Sequence, residues 1–141
     1  MDIKTLTAGL SVSGQIMPSD MKDIKDAGFR AIVCNRPDGE GADQPTFEEV
    51  AKAAKDVGIE AAYLPIVSGK VTDEDAEAFD RKLTELPGPV LAYCRTGTRS
   101  ATLWSLAQAG QRSVADILAA TKAAGYDMGG VVRRVGNGGK T

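Results

Sequence analysis

Apolar residues along the chain fall into short continuous runs, separated by longer stretches in which they recur at helical spacing. Two segments share one grammar. Ser19-Asp20-Met21 through Ala27-Gly28-Phe29 leads into Arg30-Ala31-Ile32-Val33-Cys34-Asn35, and Thr46-Phe47 through Val57-Gly58-Ile59 leads into Glu60-Ala61-Ala62-Tyr63-Leu64-Pro65. Each reads as a capped helix, a glycine that stops it, and a short apolar strand. Leu10-Ser11-Val12-Ser13-Gly14 alternates as an early strand does.

A third unit places Thr72 as N-cap, with Asp73, Glu74 and Asp75 at the positive end of a helix that closes at Leu83-Thr84-Glu85-Leu86 before Pro87-Gly88-Pro89. The run Val90-Leu91-Ala92-Tyr93 predicts a strand, and Ala101 to Gln108 predicts a largely buried helix stopped by Gly110. A last helix is expected over Val114 to Ala124, between Ser113 and Gly125; residues 130–141, with Arg133-Arg134 and Gly136-Asn137-Gly138-Gly139, read as a flexible tail. Strands alternating with helices imply an α/β three-layer sandwich around a mostly parallel sheet. The length, 141 residues, suits one domain over 1–141.

Composition narrows the chemistry. Seventeen basic against nineteen acidic residues leave a formal net charge of −2, so no global basic field attracts nucleic acid or an anionic membrane. The amino-terminal residues carry no export pattern, and no run of apolar residues is long enough to span a bilayer. Two cysteines are too few for a disulfide scaffold or a four-thiolate metal site, and a reducing cytoplasm is the expected compartment. The chain has no histidine, which removes Ser-His-Asp triads, Cys-His dyads and imidazole metal sites together. No metal and no cofactor is implied. A nucleophilic cysteine here must have its thiolate stabilised by backbone dipoles and arginines.

Cys94-Arg95-Thr96-Gly97-Thr98-Arg99-Ser100 lies where a strand ends and a helix begins. Such a turn gathers successive backbone N–H groups around one point, which is an anion nest. The same dipoles, with Arg95 and Arg99, favour a thiolate at Cys94. Gly97 supplies the backbone freedom of a tight loop, and the hydroxyls of Thr96, Thr98 and Ser100 can donate to sulfur or to a bound oxyanion. Arg36, just past a predicted strand, should lie at the sheet edge where ligands collect, as a substrate contact or in a surface ion pair within a turn capped by Asp38. Cys34 reads as a small buried residue, or as a resolving thiol if its strand neighbours that of Cys94. Tyr93 and Trp104 belong to the core.

The Cys94–Ser100 loop resembles the active-site loop of rhodaneses, Cys-Arg-(Ser/Thr)-Gly-x-Arg-Ser. Ser11-Val12-Ser13-Gly14-Gln15, Asn35-Arg36-Pro37-Asp38-Gly39-Glu40 and Tyr63-Leu64-Pro65-Ile66 resemble the bacterial protein-tyrosine-phosphatase-like family that also occurs fused to metallo-β-lactamase-like sulfur dioxygenases. The second resemblance implies a (phosphotyrosine protein phosphatase)-like fold, with Cys94 as nucleophile, Arg99 as the anion-binding arginine and Ser100 as the hydroxyl residue after it. The phosphatase loop of that kind has five residues between cysteine and arginine; here there are four, the rhodanese length. Dual-specificity relatives carry a general-acid aspartate just past the Tyr63-Leu64-Pro65-Ile66 segment, yet Val67-Ser68-Gly69-Lys70 has no carboxylate, so Asp38, Asp73 or Asp75 could act only by folding over the pocket. The expectation is a sulfurtransferase that takes sulfane sulfur from thiosulfate or a low-molecular-weight persulfide and passes it to a thiol or cyanide, with a sulfur dioxygenase as a partner. The alternative is a cysteine-dependent tyrosine or dual-specificity phosphatase.

Overall fold

The computed structural model describes residues 2–108, 111–128 and 130. Five strands form one sheet: β1 (Lys4–Thr7), β2 (Leu10–Ser13), β3 (Ala31–Cys34), β4 (Glu60–Tyr63) and β5 (Val90–Tyr93). Their spatial order is β1-β2-β5-β3-β4, parallel throughout except for β1, which runs antiparallel to β2. The helices are α1 (Met21–Asp26), α2 (Phe47–Asp56), α3 (Asp73–Glu85), α4 (Thr98–Ala107) and α5 (Val114–Ala123). No helix among the described residues is long and apolar enough to cross a membrane.

Every residue of β2, β3 and β5 is buried, as continuous apolar runs in a covered parallel sheet require. Side-chain alternation divides the core in two. Val12, Ala31, Val33, Val90 and Ala92 meet Phe79 of α3, Leu103 and Trp104 of α4 and Ile117 of α5. On the other face Ile32, Cys34, Leu91 and Tyr93 meet Met21 and Ile24 of α1 and Val50 and Ala54 of α2. The three-layer α/β expectation is met, and Tyr93 and Trp104 are core residues.

Predicted caps recur at α2, α3 and α5: Thr46, Thr72 and Ser113 each accept the N–H of the residue three positions on, and Thr72 forms a reciprocal box with Asp75. At α1 the entry differs. Pro18–Asp20 makes a single 3₁₀ turn, and the Asp20 carboxylate accepts the Met17 N–H at 2.8 Å. Strand β1 was not predicted, because its four residues, Lys4 to Thr7, lack an apolar run and bury only Leu6. The expected stop at Gly110 and the expected tail, with Arg133, Arg134 and residues 136–139, lie outside the described residues.

The chain runs from β3 outward to β4, then returns to place β5 on the other side of β3. That reversal opens a crevice beyond the carboxyl ends of β3 and β5, where ligands of open parallel sheets bind. The β5–α4 connection lies there.

Candidate functional site

Cys94 follows the last residue of β5, and Gly97 caps α4 in the left-handed region at φ 91°. That conformation is open to glycine at little cost. The Gly97 N–H consequently turns inward and donates to the Cys94 sulfur at 3.0 Å. The end of β2 supports the loop from one side: the Cys94 N–H donates to Ser13 O at 3.4 Å, and the Gln15 N–H donates to Arg95 O at 3.3 Å. Gly14 lies so close that a Cβ there would stand 2.9 Å from Arg95 O. From the other side the Tyr126 hydroxyl donates to Thr96 O at 3.2 Å. The Thr96 and Thr98 hydroxyls share a hydrogen bond of 3.1 Å.

Arg99 belongs to the first turn of α4 but points at the loop following β3. Its Nη1 and Nη2 donate end-on to the Glu40 carboxylate at 2.7 and 2.8 Å, and Nη1 also donates to Ile66 O at 2.9 Å. Glu40 in turn receives Arg36 Nε at 3.1 Å, while Arg36 Nη1 donates to Gln15 Oε1 at 3.1 Å. One carboxylate thus joins two largely buried guanidinium groups, a charge-assisted arrangement stronger than neutral hydrogen bonds. The Arg99 guanidinium holds the Glu40 carboxyl below its ordinary range, with Arg36 adding to the effect against the opposing cost of burial. Glu40 correspondingly raises Arg99, and negative charge at Cys94 adds to it.

A guanidinium has five N–H groups. Three of those on Arg99 are engaged by Glu40 and Ile66 O. The Nε–H and the second Nη2–H remain, and these two are parallel on the side edge of the plane. Glu40 therefore leaves Arg99 one bidentate edge for an oxyanion.

Above the loop is a cavity of about 700 Å³, walled by Ser68, Gly69 and Val71 from the β4–α3 connection and by Arg95, Thr96 and Thr98 from the loop itself. Arg99 contributes to it, while Cys94, 1% exposed, lies beneath. No carboxylate lines the cavity among the described residues. Asp38 accepts the Phe47 N–H at the start of α2, and Asp75 is held in the Thr72 box, so neither folds over it.

The structure brings Cys94, Arg95, Thr96, Gly97, Thr98 and Arg99 together as the sequence predicts, and corrects two expectations. Arg36 is neither in the cavity nor in a surface ion pair: it is buried behind Arg99, held by Glu40 and Gln15. Its position past β3 is at the sheet edge as expected, but the guanidinium turns inward to the carboxylate. The Ser100 hydroxyl donates to Asn35 Oδ1 at 2.8 Å rather than to sulfur, because one residue past Arg99 the helix has rotated it toward β3. Asn35 Nδ2 continues that chain to Leu64 O.

Cys34 is the small buried residue that the sequence predicts. Strand β3 adjoins β5, and Cys34 pairs in register with Tyr93 and packs in the same core cluster. Both cysteines are free; Cys34 donates to Arg36 O at 3.2 Å, and burial pushes its thiol up. The Tyr93 hydroxyl is buried beside it with no well-formed hydrogen bond, and burial pushes it up as well. Four residues the sequence reading did not assign to the site complete it: Gln15, Asn35, Glu40 and Tyr126. The first three lie in the segments that carry the phosphatase-like resemblance, which was their only signal; Tyr126 had none.

A cysteine loop at the carboxyl edge of this sheet, capped by a helix and backed by a braced arginine, defines a phosphatase-like α/β protein. The chain belongs to the family described as the phosphatase-like domain of beta-lactamase hydrolase-like protein, whose model matches residues 2–111. A beta-lactamase hydrolase-like protein from Agrobacterium fabrum is 36% identical over 121 residues, 84% of this chain and 28% of that protein. One from Xylella fastidiosa is 31% identical over 94% of this chain and 31% of its own length. The chain therefore spans less than a third of these curated relatives. Among solved structures, a candidate phosphatase from Neisseria meningitidis has a TM-score of 0.89 at 32% identity, covering 98% of this chain and 99% of its own. The core catalytic domain of an S. cerevisiae PP-IP phosphatase shares the fold at 13% identity, with a TM-score of 0.70 over 96% of this chain and 84% of its own. These likenesses favour the phosphatase alternative over the sulfur-transfer expectation.

Proposed function

We propose that the chain is a cysteine-dependent phosphatase of small phosphate monoesters, with Cys94 as nucleophile and Arg99 as the anion-binding group. The observation that carries this reading is the side edge of Arg99 that Glu40 and Ile66 leave unused, beside Cys94 and below a cavity of about 700 Å³ that is far larger than one oxyanion. The cavity has room for the organic part of an ester. Loop amides and the Arg99 edge bind the phosphoryl oxygens and stabilise the charge they gain in the transition state.

The Cys94 thiolate attacks phosphorus in line; the S–P bond forms as the P–O ester bond breaks, and the leaving oxygen departs with the electron pair and takes a proton from water. Water then attacks the phosphocysteine, releasing inorganic phosphate and returning the thiolate, with a proton passing to solvent. Since the described lining holds no carboxylate to protonate the leaving oxygen, esters of acidic alcohols such as phenols are the favoured class. Purified protein should hydrolyse p-nitrophenyl phosphate in a vanadate-sensitive manner, and Cys94→Ser should abolish it. Turnover that survives in Cys94→Ser overturns the reading.

A second reading is favoured by loop length, with four residues between Cys94 and Arg99. In sulfur transfer the thiolate attacks the outer sulfur of thiosulfate, forms a persulfide as the S–S bond breaks and sulfite leaves, and cyanide or a thiolate removes that sulfur. Mass spectrometry after thiosulfate, with thiocyanate measured after cyanide, tests it. A Cys94 persulfide in a protein inert toward phosphate esters would replace the phosphatase; if both reactions occur, the larger kcat/KM identifies what the site fits.

A further inference from the structure

The Thr96 carbonyl and the Gly97 N–H belong to one peptide unit, and the two ends of that unit have different partners. Inward, the N–H donates to the Cys94 sulfur at 3.0 Å. Outward, the carbonyl accepts the Tyr126 hydroxyl at 3.2 Å. Because a trans peptide is planar with its N–H and C=O opposed, fixing the oxygen fixes the direction of the hydrogen. A flip of this peptide would turn a carbonyl oxygen toward the sulfur and oppose negative charge there. Glycine at position 97, with φ 91°, is the residue type for which such a flip meets least steric resistance.

We propose that Tyr126 is a positioning residue for Cys94, acting through the Thr96–Gly97 peptide. Its hydroxyl occupies the space above Gly97 that a side chain would otherwise take. A hydrogen bond to the carbonyl also polarises the peptide and strengthens its N–H as a donor. Burial, reinforced by negative charge at Cys94, pushes the Tyr126 phenol up, so it remains protonated and able to donate at neutral pH. Tyr126 follows α5 and lies beyond the residues 2–111 matched by the family model, so the segment after that match contributes to the site. The inference rests on Cys94 being the nucleophile.

Tyr126→Phe removes only the hydroxyl. Quantified by peptide mapping at neutral pH, iodoacetamide alkylation of Cys94 should slow about three- to tenfold, the effect of one neutral hydrogen bond. Turnover of p-nitrophenyl phosphate should fall in kcat by a similar factor, with KM within about twofold. Hydrogen exchange at the Gly97 amide should accelerate. A residue that merely packs against the loop would change the melting temperature and the folded fraction without altering alkylation per folded molecule. Wild-type alkylation and Gly97 exchange in folded Tyr126→Phe would overturn the proposal. These two measurements use no substrate, so their failure is distinct from failure of the phosphatase reading, which shows as activity surviving in Cys94→Ser.

Discussion

Glu40 is a carboxylate whose partners are two arginines, and its removal has two separable consequences. In Glu40→Gln the Arg99 fork loses its charged anchor, and kcat/KM should fall on the order of 10- to 100-fold through misplacement of the anion-binding edge. Glu40 is held below its ordinary value of 4.5, chiefly by Arg99, so its stabilisation is complete above that value and is lost as pH falls through the folded-state value. Wild-type protein should lose stability with acid over that range, and Glu40→Gln should lack this component in denaturant melts at successive pH values. Cys34 poses a contrasting case. Its thiol packs in the core cluster of Leu91 and Tyr93 and does not line the cavity, so Cys34→Ala should leave kcat within about twofold while lowering stability by about 1 kcal/mol, as loss of a small buried group does. A disulfide between the cysteines on peptide mapping would contradict this placement.

At the scale of elements, α4 is the helix on which the site depends, and its entry is unlike the others. Helices α2, α3 and α5 start with threonine or serine caps that accept a backbone N–H, whereas α4 starts at a left-handed glycine with no side-chain cap. The exchange frees the first-turn amides for the loop and for an anion. Gly97→Ala adds backbone strain at positive φ and a Cβ that would overlap the Tyr126 hydroxyl. It should cost about 1–3 kcal/mol and lower activity at least on the order of 100-fold, measured by thermal melts and p-nitrophenyl phosphate turnover. Helix α2 helps assemble the same sheet edge: Asp38 ties the β3–α2 connection to the start of α2, and Phe47 stacks on Tyr63 of β4 with centroids 4.8 Å apart.

For the whole molecule, both faces of the sheet must be covered for β5 to hold the loop at the crevice. Phe79 is fully buried between α3 and the sheet, and Phe79→Ala should cost about 3–5 kcal/mol in urea unfolding. Against a typical total of about 5–15 kcal/mol, that is enough to threaten the fold. A substitution at Val67, 56% exposed, should stay within about 0.5 kcal/mol.

Local information was sufficient for most elements. Thr46, Thr72 and Ser113 mark helix starts because a cap is a contact across three residues, and the runs at Ala31–Cys34 and Val90–Tyr93 mark strands buried on both faces. The Cys94–Arg99 loop was legible for the same reason: its cysteine, glycine and arginine are adjacent in the chain. Strand β1 was not legible, since its edge position depends on β2 rather than on an apolar run of its own. Nor were the partners of the loop. Glu40 reaches Arg99 across 59 positions, Asn35 reaches Ser100 across 65, and Tyr126 reaches Thr96 across 30. Such pairings are set by the order β2-β5-β3 and by which face each side chain takes, and these follow from long-range packing. The sequence by itself determined which residues could carry the chemistry; the tertiary structure decided that the Arg36 guanidinium turns inward to Glu40 and Gln15 and that Cys34 packs beside Tyr93, because strand order and pleat direction are properties of the assembled sheet.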